Sequence, residues 1–143
     1  MSDVPGASGI EARLEQAASL PETLAAGFDA FEVIRMTARD CQDRVPALFA
    51  AYMTAADAAV DGREALTIAP SLPPAGGSGP GDAVAGGGDP GRVADALAAL
   101  AGVLHDRLGR AAAGADLPAD RVACQEAVHA AARICQLMTR GSP

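Results

Sequence analysis

Two histidines, three cysteines and a scatter of carboxylates are the chain's whole stock for covalent, acid–base or metal chemistry. Glu126-Ala127-Val128-His129 has the ExxH spacing that puts a carboxylate and an imidazole on one helix face, as di-iron bundles use it. Such a site needs a second ExxH and two more inward carboxylates, and the chain has one copy, with His129 in the middle of a polar face. Cys41, Cys124 and Cys135 form no CxxC and no zinc-finger spacing, and the odd count on apolar helix faces reads as reduced, packed thiols. Cys124, in the first turns of its helix, is the cysteine best placed to react. Gly86-Gly87-Gly88 has no following Lys and no preceding strand, so it is not a phosphate cradle. No Ser/His/Asp constellation is apparent. The expectation is therefore no catalytic residue, no metal and no cofactor.

The most specific string is Leu104-His105-Asp106-Arg107-Leu108-Gly109-Arg110. It resembles the phosphoacceptor box of one class of bacterial histidine kinase dimerisation domains, in which Leu-His-Asp is followed by a spacer, an aliphatic residue and Gly. The resemblance implies that His105 accepts phosphate and that Asp106 acts as its base. Read as helix alone, His105 lies beside the Leu97–Leu104–Leu108 stripe, at the boundary between core and solvent.

Composition sets the frame that must hold these residues. The chain has 143 residues, enough for one domain with a real core, and 35 of them are Ala, with no Trp, one Tyr and three Phe. Sheets favour β-branched and aromatic side chains, so the expected class is all-α, with helices approaching closely on small residues. Lys and Asn are both missing, which with the high Ala and Gly content reads as the bias of a GC-rich bacterial genome. A formal charge of −7 disfavours nucleic acid and anionic membrane as partners. The beginning of the chain shows no signal peptide and no apolar stretch reaches membrane-spanning length, so a cytoplasmic protein is expected.

A segment at 70–91 separates two helical halves: of its 22 residues eight are Gly and five are Pro. It reads as a flexible, disordered connection within a single helical domain spanning 1–143, with Ile68, Leu72 and Val84 able to pin parts of it to the core. Before it, Ser8-Gly9-Ile10-Glu11 has the form of a capping box opening a short helix at 8–19, and Ser19-Leu20-Pro21-Glu22 repeats the signature. Phe31, Ile34, Ala38, Cys41, Val45, Leu48, Tyr52, Ala55 and Ala59 then step by three and four, with Phe28, Phe49, Met53 and Val60 widening the stripe. The seam continues through Pro46, which predicts one long helix over 21–61, kinked there. Arg39 with Asp43 and Asp40 with Arg44 stand at pairing distance along it. After the segment, helices at about 92–114 and 118–140 are expected to form an antiparallel hairpin around a short turn.

A helix over 21–61 would measure roughly 60 Å and each C-terminal helix roughly 35 Å. The surplus seam predicts a homodimer joined through Phe31, Ile34, Val45, Leu48 and Tyr52. The expected function is a non-enzymatic, self-associating helical module that binds another protein in an adaptor, regulatory or assembly role. The alternatives are phosphotransfer at His105, or a bundle that holds a small molecule or metal.

Overall fold

In the computed structural model, which describes residues 7–74 and 90–140, every regular element is helical. The order is α1 (Ala7–Gln16), α2 (Leu20–Gln42), a short 3₁₀ turn (Pro46–Leu48), α3 (Phe49–Thr67), α4 (Pro90–Gly114) and α5 (Pro118–Arg140). Residues 75–89, which include Val84 and most of the Gly/Pro segment, lie outside the described residues, as does the side chain of Ser8 that was expected to cap α1.

The second signature forms its cap, with the Glu22 carboxylate meeting the Ser19 hydroxyl. Ser19 accepts a bond from the Glu22 amide at 3.3 Å and its hydroxyl donates to the Glu22 carboxylate at 2.9 Å, which fixes the start of α2. Pro21 sits in the first turn, where no intrahelical donor is lost.

The long kinked helix is not formed. Helix α2 ends at Gln42, and α3 starts anew at Phe49 and folds back along α2. Pro46 has no amide to continue the ladder, and the residue before a proline is driven out of the helical region. Val45 accordingly has φ −129° and ψ 86°. The polypeptide reverses through bonds from the Arg44 and Val45 amides to the Cys41 carbonyl, at 3.0 and 3.2 Å. Glu32 pairs with Arg63 and Arg39 with Asp57, so rising numbers on α2 meet falling numbers on α3.

Helix α3 packs in turn on α5, and α5 on α4, across the turn at 115–117. Asp61–Arg133 and Ser71–Asp120 contacts give α3 and α5 opposite directions. Helix α1 lies against both α2 and α4. It is held by Arg13 to Asp29 at 2.8 Å and by Arg107 of α4, which donates to the Glu15 carbonyl at 2.8 Å. The helices thus share one core, to which Leu14, Phe31, Tyr52, Leu104 and Ile134 each contribute a fully buried side chain.

Close approach depends on small residues. A Cβ at Gly62 of α3 would come within 2.5 Å of the Phe31 ring, so the ring rests directly against the α3 backbone there. Ala55, Ala58 and Ala59 of α3 and Ala123, Ala127 and Ala131 of α5 are buried in the same core. Ile10 and Leu14 anchor α1, whereas Ala18 falls beyond its end and is exposed.

Candidate functional site

The five residues expected to join two copies are not a free seam. Phe31, Ile34 and Tyr52 have no exposed surface, and Val45 and Leu48 are half-buried against the same core. The hairpin explains this: α2 and α3 bury their stripes against each other and their neighbours, so the surplus that called for a second chain is consumed within the fold.

What the fold leaves outside is the start of α3. Phe49 is 42% exposed and Met53 40%, although the periodic reading placed both on the widened stripe. Tyr52, Ala55, Ala56 and Ala59 define the inner face of α3, Ala50, Met53 and Asp57 fall on the outer one, and Phe49 sits on the flank between them in the first turn, where it stays exposed. Pro46 and Ala47 continue the exposed apolar surface into the turn. Val45-Pro46, taken as a stop rather than a kink, would have signalled the hairpin whose turn this surface borders.

Charges of both signs border the ridge. Arg44 reaches Asp40 at 3.5 Å, as the spacing suggested, but Arg39 contacts Asp57 across the hairpin at 3.8 Å rather than Asp43. All four side chains are 40% exposed or more, so these pairs add little to stability. Deeper along the same pair of helices, Glu32 accepts from Arg35 at 3.1 and 3.2 Å and from Arg63. Burial works to raise its pKa, but the two guanidinium groups outweigh it and hold the carboxyl below its ordinary range.

The residues singled out for chemistry are dispersed. His105 is exposed on α4, and its neighbour Asp106 is 3.5 Å from Arg110. Gly102 and Gly109, one turn before and one turn after His105, have nothing within 4 Å of where a Cβ would stand. Glu126 and His129 both face solvent on α5, and among the described residues no group of three or more His, Cys, Asp or Glu converges as a metal site would.

Two of the thiols are held in the unreactive form. Burial, with Asp120 nearby adding to it, pushes the Cys124 pKa up to about 11, so the helix start does not activate it. Burial likewise raises Cys41, against the opposing effects of Arg44 and of a Tyr52 hydrogen bond. Cys135 is half-buried.

A further pair was invisible to local reading. Asp120, 1% exposed in the first turn of α5, accepts from the Ser71 amide at 3.0 Å and from its hydroxyl at 2.6 Å. This ties the chain just after α3 to α5, and Leu72 beside it packs on the core, whereas Ile68 is 67% exposed and pins nothing. Among the described residues no helix is long and apolar enough to cross a membrane. No family model matches the chain, and no curated protein or solved structure matches it either.

Proposed function

We propose that the protein is a non-enzymatic helical interaction module that works through its surface, self-association included. One observation carries this reading: exposed apolar residues Pro46, Ala47, Phe49, Ala50 and Met53 follow one another through the turn and the start of α3, whereas the other exposed large apolar side chains among the described residues, Ile68, Leu117 and Val122, lie at the opposite end of the bundle. Exposed aromatic and Met side chains grouped in this way, rimmed by charge, are the usual makings of a protein contact. Placing a photo-crosslinker at position 53 in the native host tests it directly. Discrete protein adducts are expected there, with none from a crosslinker at position 126 on the exposed face of α5. Equal labelling at both positions, or none at position 53, rejects the reading.

A second reading, phosphotransfer through His105, is favoured by a separate observation. The imidazole stands exposed, and Gly102 and Gly109, one turn before and one turn after it, carry no side chain to crowd an approaching phosphodonor. Incubation with a phosphodonor should then give an acid-labile, base-stable phosphate that His105→Gln abolishes. Absence of label on the unmodified chain sinks this alternative and leaves the first untouched.

A further inference from the structure

The ridge has an order as well as a composition. Along it run Arg44 in the turn, then Pro46, Phe49, Ala50 and Met53, then Asp57 on the next helical turn. Arg39 stands beside Asp57, and Asp43 beside Arg44 in sequence. Positive and negative groups therefore occur at both ends of one apolar strip.

We propose that the partner for this ridge is a second copy of the same chain, packed antiparallel about a two-fold axis near Ala51, which brings Arg44 of each copy to Asp57 of the other. The proposal rests on the interaction-module reading and names its partner. A two-fold axis turns the strip end for end, so Phe49 of one copy meets Met53 of the other. Reversal of the strip thus produces its own electrostatic complement, which a strip of uniform charge could not do. The five charges concerned, Arg39, Asp40, Asp43, Arg44 and Asp57, sum to −1, so the ridge lacks the strong repulsion that a −7 chain would otherwise bring to a second copy.

The internal pairs, at 3.5 and 3.8 Å between exposed groups, are loose enough to exchange partners on docking. Ala47 and Ala50 present no bulk, and the two α3 backbones can approach closely across them. From Phe49 to Asp57 the helical part of the strip measures roughly 12 Å. A contact of that length lies at the small end for protein interfaces, so the dimer is a weak, concentration-dependent one.

The test is the mass of the full chain in solution across concentration. Wild type should approach the mass of two chains at roughly 500 μM and of one chain at roughly 5 μM, as a dissociation constant in the tens of micromolar requires. Arg44→Asp and Asp57→Arg each oppose like charges at both contacts and should stay monomeric. Mixed one to one, they restore both pairs and should form the heterodimer. Thermal melts by circular dichroism verify that both variants keep the fold.

A wild-type chain that is monomeric throughout overturns the proposal and with it self-association, while adducts at position 53 to another protein would leave the module reading standing. A dimer that survives Phe49→Ser with Met53→Ser overturns this surface but not self-association. Two monomeric single variants that fail to pair when mixed overturn the antiparallel register.

Discussion

The two ends of the molecule are built to different rules. At the end where α1 meets α2 and α4 meets α5, polar side chains are spent on the chain's own backbone. Ser19 caps α2, Arg107 holds the Glu15 carbonyl, Arg121 holds the Ala115 carbonyl at 3.0 Å, and Asp120 holds Ser71. At the α2–α3 turn neither the 3₁₀ segment nor α3 has a side-chain cap, and exposed Pro46, Ala47 and Phe49 stand there beside exposed Asp43 and Arg44. The first end is closed by these bonds, although Ile68, Leu117 and Val122 there are 67%, 49% and 52% exposed. The second is finished only in backbone, and its side chains remain available to something else.

Breaking the closed end should have the largest effect. Asp120→Ala removes two bonds to a buried carboxylate and leaves the Ser71 amide without that acceptor, which should cost about 2–3 kcal/mol. In a thermal melt that corresponds to a fall of roughly 10 °C. An unchanged melt would mean that the latch does not distinguish the two ends.

A smaller loss is expected midway between them. Gly62→Ala forces the Phe31 ring off the α3 backbone, and the overpacking, offset by the better helix propensity of Ala, should leave a net cost of about 1–2 kcal/mol. Chemical denaturation measures it, and a stabilised variant would show that the ring can move aside freely.

The open end should respond least. Phe49→Ser with Met53→Ser touches only exposed side chains and should shift monomer stability by no more than about 0.5 kcal/mol when measured at low concentration. A large loss here would erase the contrast, because it would show that the ridge supports the fold itself.

Much of the helical plan was legible in the sequence, and the reason it failed at one place is specific. Ala123, Ala127, Ala131, Ile134 and Met138 of α5 are buried as their period requires, and Gln125, Glu126, His129, Arg133 and Gln136 face solvent. Val93, Leu97, Leu100, Leu104 and Leu108 of α4 are buried in the same way. The α2–α3 stripe was read correctly as apolar and wrongly as continuous. A run of threes and fours reports which face is buried, not whether the axis stays straight, and two helices that fold onto each other keep the same pattern as one long helix. The exposed ridge was missed for a related reason: Phe49 and Met53 keep the same azimuth relative to Tyr52, Ala55 and Ala59 in either reading, and spacing alone does not tell that the flank of the stripe stays uncovered at the start of α3. Asp120–Ser71 and Arg13–Asp29 link residues far apart along the chain, and no local spacing announces such pairs.

The Phe31 ring over Gly62 has a consequence for how the hairpin finds its alignment. Gly62 is the one glycine in α3, and the positions a turn to either side are Ala58, Ala59, Ala65 and Leu66, each of which carries a Cβ. Sliding α3 along α2 by one turn, about 5.4 Å, would set the aromatic plate on a bump instead of a recess. The pair therefore acts as a key that fits its lock at a single depth. In an interior made so largely of interchangeable alanines, this one mismatch of sizes gives the two helices a reason to stop where they do.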